Sequence, residues 1–340
     1  MVAMAPVVGF GAYVGFSMCI YSLHSPVVDH MFQETEVDAD PTFAEHYFIL
    51  EDWNKVRKTL QLGDVVLLMG TGDMSWKITN CQFALSWMKP AALRYSHVAV
   101  VTKPYNPKTK EGPWCMEVVD NGDLKIPDIG GVVRKRCCMV VDIDKRINGT
   151  VVEGDTSRPA YKRLGVRRLQ GFTWTEPRKK ALKAFVDGNV GRPMDSSPLI
   201  MLTALSAPLY GRTGHRYLSS MGTCSEVIAD LFEHVGVSKR FGENGGCTFP
   251  EWETLKARFP KVVLSTEETC PKFIRNPVVG SPMHLLDPVI VPPNPIHKYS
   301  TVQIVPAHFA EGLDKELKFS EGVCFGPEVH MTVKGAQGRY

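Results

Sequence analysis

A chain of 340 residues, 44% hydrophobic and 22% charged, has the makeup of a globular protein that can bury a core, not of a disordered one. Its net charge of +3 is too small to point to nucleic acid. Nine scattered cysteines, with no CxxC pair and no His/Cys zinc spacing, argue for free thiols in a reducing compartment; neither a metal nor an organic cofactor is expected.

Residues 2–23 carry no charge and are long enough to cross a bilayer, with Gly11 and Gly15 in a small-xxx-small pattern that lets a second helix pack closely. No basic region precedes them, as a secretory signal would require, and no arginine marks a mitochondrial presequence. Pro6 and the glycines weaken the run, which leaves a buried helix as the competing reading. The expectation is a transmembrane anchor at 1–24 on an intracellular, membrane-anchored protein, with the mitochondrial inner membrane as one candidate. An acidic linker and a short helix should fill 25–61.

The folded domain is expected over 62–269. Gly63-Asp64 opens it, followed by the buried-strand run Val65–Met69. Gly70-Thr71-Gly72 lacks the GKS/T of a phosphate loop and reads as a turn. Asp73 should N-cap a helix from 74 to about 88. Next comes an alternating strand, Tyr95–Val101, in which His97, Ala99 and Val101 share one face. A second strand, Trp114–Asp120, places Glu117 with Cys115 and Val119. Paired across the 103–112 loop, the two strands would bring His97 near Glu117. A further pair, Val132–Lys135 and Cys138–Ile143, should extend an antiparallel sheet. Taken singly, His97 reads as a satisfied histidine and Glu117 as a solvated strand residue.

Residues 155–183 are basic and read mainly as a solvated face. A helix is expected over 176–187, and Gly191–Asp195 should break it. Ser197–Tyr210 is nearly all apolar but too short to span a membrane, so it reads by default as a buried helix, with a membrane-dipping element or the wall of an acyl-binding cleft as alternatives. In Gly222–Phe232 a turn-prone lead precedes Cys224, and Val227, Ile228, Leu231 and Phe232 recur at helical spacing. Cys224 then occupies the first turn, where free N–H groups and the helix dipole favour a thiolate nucleophile and can receive an oxyanion. Its ordinary fate would be a small core side chain. From Cys270 on, repeated prolines predict an extended C-terminal arm over 270–340.

Gly63-Asp64-Val65-Val66, Tyr95-Ser96-His97-Val98, Met116-Glu117-Val118 and Thr223-Cys224-Ser225-Glu226-Val227, in that order, resemble the circularly permuted branch of papain-like NlpC-type cysteine hydrolases, the YiiX/YaeF-like proteins. Gly191–Asp195 resembles the segment those proteins carry before the cysteine helix. The resemblance spans roughly residues 62–236. It implies an α+β permuted papain-like fold, with an antiparallel sheet packed on the cysteine helix. It further implies Cys224 as nucleophile, His97 as general base and Glu117 as the group orienting His97. Thr223 and Met194 depart from the aromatics common in that family, and the 196–221 insertion lengthens the approach to the cysteine.

The function expected is a thiol hydrolase or acyltransferase forming an acyl-cysteine on a peptide, amide or acyl-lipid substrate. The rival is a catalytically dispensable papain-like fold serving as an accessory subunit of a membrane complex. It rests on the Gly11/Gly15 helix, the acidic linker and the proline-rich arm.

Overall fold

The computed structural model describes residues 49–85, 89–122, 124–153, 156–194, 223–238 and 304–332. The expected anchor at 1–24, most of the linker, the 197–210 apolar run and residues 270–303 of the arm lie outside them. No helix among the described residues is long and apolar enough to cross a membrane.

Nine strands and five α-helices are described. They are β1 (Ile49–Leu50), α1 (Trp53–Val56), β2 (Val65–Gly70), α2 (Asp73–Leu85), β3 (His97–Lys103), β4 (Trp114–Val119), β5 (Cys137–Asp142), α3 (Ile143–Ile147), β6 (Thr150–Glu153), β7 (Thr156–Pro159), β8 (Tyr161–Gln170), α4 (Glu176–Asn189), α5 (Cys224–Val235) and β9 (Cys324–Thr332). Seven strands form one sheet in the order β1-β9-β8-β2-β3-β4-β5, antiparallel except for the β1–β9 pair, and β6–β7 form a separate hairpin. The fold is mixed α+β, and its main sheet curls into a half-barrel.

Alternation along the strands explains the layers. Val65, Leu67, Val98, Val100, Met116 and Val118 face α5, whose Val227, Ile228, Leu231 and Phe232 are all buried. Each such side chain contributes roughly 1.5–3 kcal/mol on burial. The intervening residues Val66, Leu68, Ala99, Val101 and Cys115 pack the other way, onto Trp53, Val56, Leu60, Ile143 and Ile147. With both faces covered, β2 is buried throughout.

Several expectations need correction. The helix at 51–61 is a single turn, Trp53–Val56, continued by a 3₁₀ turn at Arg57–Thr59. The second helix includes Asp73 itself and is described as far as Leu85; the expected end near 88 lies outside the described residues. Val132–Lys135 is no strand; β5 pairs with β4 instead, and Val132 and Val133 stand exposed in the connection. The basic stretch 155–183 contains β8, interior to the sheet. Its Arg163 and Arg167 are buried because they have partners: Arg167 donates to Gly326 O at 2.7 Å and pairs with Asp314 at 2.8 Å.

The C-terminal stretch, expected to run over a surface, supplies β9. That strand lies antiparallel along β8 and brings Glu328 and His330 into the interior. There Tyr95 Oη donates to Glu328 Oε1 at 2.9 Å and lies 2.8 Å from His330 Nδ1. Burial, with Arg94, Arg163 and Arg167 nearby, pushes His330 down to about 2, so its ring is neutral.

Candidate active site

The site begins with a helix cap. Thr223 Oγ1 accepts from Glu226 N and Glu226 Oε2 accepts from Thr223 N, each at 3.2 Å, a reciprocal box that makes Cys224 the first helical residue. Glu226 also meets Arg192 at 3.4 Å, and Arg192 reaches Asp230 at 3.5 Å. The chain around Arg192 is itself fixed to β5: Gly191 N donates to Cys138 O and Cys138 N to Arg192 O, both at 2.8 Å. The helix tip is thereby tied to the sheet, and Gly236 closes the far end in the left-handed conformation.

His97 is the first residue of β3 and shares a strand face with Ala99 and Val101, as its spacing predicts. The β3–β4 register, Val100 against Met116 and Val101 against Cys115, puts Glu117 on that same face. The two meet: His97 Nε2 lies 2.7 Å from Glu117 Oε2. The Cys224 side chain is near enough to act on the His97 ring and raise it. Since Nε2 is engaged by the carboxylate, Nδ1 is the ring nitrogen left for the sulfur. The structure thus brings Cys224, His97 and Glu117 together in a chain of contacts.

A fourth residue, which sequence reasoning missed, completes the arrangement. Arg146 of α3 is 1% exposed and its Nε sits 3.1 Å from Glu117 Oε1. Its Nη1 donates to Asn121 Oδ1 at 3.1 Å, and its guanidinium lies over the Tyr161 ring, 6.0 Å from the centroid. Nothing in Ile143–Ile147 marks Arg146 apart from its neighbour Lys145 (both are basic residues in a short helix). Only the fold reveals that one is buried against a carboxylate.

Electrostatics follow from this geometry. Burial pushes the Glu117 carboxyl up, but the Arg146 guanidinium and His97 outweigh it and hold the group below its usual range. Burial likewise pulls His97 down, while Cys224 and then Glu117 pull it up further, so the ring ends at about 9. Burial raises the Tyr161 hydroxyl to about 12, which keeps it a neutral donor. At neutral pH the site therefore holds an imidazolium beside the Cys224 sulfur and the Glu117 carboxylate. Such a ring can stabilise a thiolate and can hand a proton to a leaving group.

Of the other five described cysteines, Cys324 is exposed at the start of β9 and the remaining four are buried. In Cys81, Cys115, Cys137 and Cys138 that burial raises the thiol. Cys224 is half-exposed and capped at a helix start. Among the described residues no group of three or more His, Cys, Asp or Glu side chains is placed to hold a metal ion.

No protein-family model matches the chain, and no curated protein matches it. Among solved structures it is similar to the metalloprotein yiiX from Escherichia coli O157:H7, at 18% identity over 59% of this chain and 83% of that one. The TM-score is 0.30, a likeness too slight to assign a fold or an activity.

Proposed function

We propose that this protein is a thiol hydrolase or acyltransferase that works through a covalent acyl-cysteine at Cys224, on a permuted papain-like fold. The observation that carries this reading is the position of His97, paired with Glu117 through Nε2 at 2.7 Å and near enough to Cys224 for that side chain to raise its ring. In this reading the Cys224 sulfur attacks an amide or ester carbonyl carbon. A C–S bond forms, and the carbonyl electron pair moves to oxygen.

The oxyanion is received by the Cys224 N–H at the helix start, which has no acceptor among the described residues. His97 gives its proton to the departing amine or alcohol as the tetrahedral species collapses to acyl-Cys224. Water or an acceptor nucleophile then attacks the thioester, with His97 taking its proton. The sulfur leaves, and the ring is again charged. Glu117 fixes the ring orientation and offsets its charge; Arg146 keeps Glu117 ionised.

The test is mass spectrometry of the chain after exposure to activated amide, thioester and ester panels. A single acyl adduct on the Cys224 peptide, removable by hydroxylamine and absent in Cys224→Ala and His97→Ala, is expected. Turnover that survives Cys224→Ala would sink the proposal; no adduct and no turnover with any member of the panels would sink it too and favour the accessory-subunit reading.

A further inference from the structure

Six large apolar side chains stand exposed among the described residues: Met74, Trp76, Ile129, Val132, Val133 and Val152. Single exposed apolar residues are ordinary on protein surfaces. Their distribution here is not. The pairings Leu68 with His97, Val119 with Cys137 and Gly70 with Tyr161 place the end of β2, the start of β3, the end of β4, the start of β5 and the start of β8 at one end of the sheet. The connections at that end carry all six. Met74 and Trp76 lie in the first turn of α2, directly after β2; Ile129, Val132 and Val133 lie between β4 and β5; Val152 lies on the hairpin that leads into β8. These connections are tied to one another. Thr71 N donates to Ala160 O at 3.1 Å, and Gly149 packs against Leu124. At the opposite end, the β3–β4 connection exposes Lys108, Lys110 and Glu111 instead.

The β4–β5 connection presents its apolar tip in a fixed form. Asp128 Oδ1 accepts from Gly130 N and Val132 N at 2.9 Å, and Gly131 N donates to Asp128 O at 2.8 Å. Gly131 takes a positive φ of 79°, with nothing near the place where a Cβ would stand. The acids of the loop that the structure describes are occupied: Asp128 by Arg134 at 2.6 Å and Asp120 by Arg136 at 2.8 Å. Lys125 and Lys135 are exposed and have no acid partner among the described residues. Apolar tips flanked by free lysines match the layering of an anionic membrane interface, where alkyl groups enter the acyl boundary and ammonium groups meet phosphate.

We propose that this end of the sheet docks on an anionic lipid surface, with Ile129, Val132 and Val133 entering the interface and Lys125 and Lys135 at the headgroups. His97 begins its strand at the same end, so docking turns the Cys224 site toward the bilayer. Taken with the acyl-cysteine reading, the substrate class narrows to an acyl chain held in a membrane. That narrowing rests on the proposed reaction; the docking does not.

The test uses the full chain carrying Cys224→Ala, so that no chemistry intervenes. Amide hydrogen exchange is read by peptide with no vesicles, with phosphatidylcholine vesicles and with phosphatidylcholine/phosphatidylserine vesicles. Severalfold slowing over 125–136 on the anionic vesicles, with residues 104–112 unchanged, is expected. Adding Ile129→Ser, Val132→Ser and Val133→Ser should abolish the slowing without moving the thermal midpoint. Unaltered exchange over 125–136 on anionic vesicles would overturn the proposal, and so would slowing that persists in the serine variant. Slowing that appears without lipid, on raising the protein concentration, would assign the surface to a second copy of the chain and equally refute it.

Discussion

Glu117 Oε2 and His97 Nε2 are 2.7 Å apart on neighbouring strands, with the carboxylate wholly buried and the ring nearly so. Neither charge would persist alone at that depth. Burial pushes Glu117 up and His97 down, yet each ends on the charged side because the other, with Arg146 and Cys224, is there.

Removing that carboxylate charge tests the coupling. Glu117→Gln keeps the shape but takes away the partner that helps hold His97 near 9, so the His97 ring should titrate lower in a histidine-resolved NMR titration. Alkylation of Cys224 by a small thiol reagent at neutral pH should slow, and any turnover should fall by about 10²–10⁴-fold, the usual worth of a positioned acid–base group. An unchanged titration would show that Glu117 is a bystander.

Arg146 is the residue whose loss should cost most in stability. Arg146→Met removes one of the two cations set against the buried Glu117 charge and leaves it only His97; breaking a buried pair typically costs about 3–5 kcal/mol. The double variant Arg146→Met/Glu117→Gln should recover part of that loss in urea unfolding. Additive losses would mean that the 3.1 Å contact carries little coupling energy.

Stability should also depend on pH in a definite sense. His97 is raised from the ordinary 6.5 to about 9, so its contribution is whole below pH 6.5 and is lost as pH rises through 9. Glu117 is lowered from 4.5, so its contribution is present above pH 4.5 and is lost as pH falls through the lower folded value. Between about 4.5 and 6.5 both are in place. Urea midpoints measured from pH 4 to 9.5 should fall on the alkaline side, and the fall should flatten in His97→Gln.

The interior cluster beneath β8 and β9 offers an independent check on packing. A Cβ on Gly165 would overlap the Tyr95 hydroxyl, which already meets Glu328 and His330. Gly165→Ala should therefore destabilise by about 1–3 kcal/mol, as overpacking commonly does. Tyr95→Phe should cost a similar amount by leaving Glu328 short of a donor. A thermal midpoint unmoved by Gly165→Ala would mean that the two strands tolerate a shift there.

A continuous apolar run made β2 readable from sequence, and period-two alternation did so for β3 and β4, together with the face shared by His97 and its neighbours. Helical spacing behind Thr223-Cys224 did the same for α5. β8 escaped because Lys162, Arg163, Arg167 and Arg168 imitate a solvated face. Their partners Asp64, Asp314 and Gly326 lie about a hundred residues or more away in the chain, beyond the reach of any local pattern. β9 was hidden by the proline-rich run before it, and Val132–Lys135 was misread because β-branched residues suit an exposed tip as readily as a strand. Arg146 carried no signal at all: a lone arginine becomes part of a site only through what the fold sets against it.

β9 has a further consequence for how the chain is made. It lies between β1 and β8, so the last of the described strands to be synthesised occupies an inner position of the sheet. While the ribosome is still adding residues beyond 170, β8 has an open edge on the side that Cys324–Thr332 will fill, and Ile49–Leu50 has no neighbour to pair with. Assembly must wait for contacts that span most of the sequence, a slow kind of closure that leaves an unpaired edge exposed meanwhile. A ribosome-bound chain stopped before residue 324 should be protease-sensitive across its sheet and should bind chaperones, and release of the complete chain should end both.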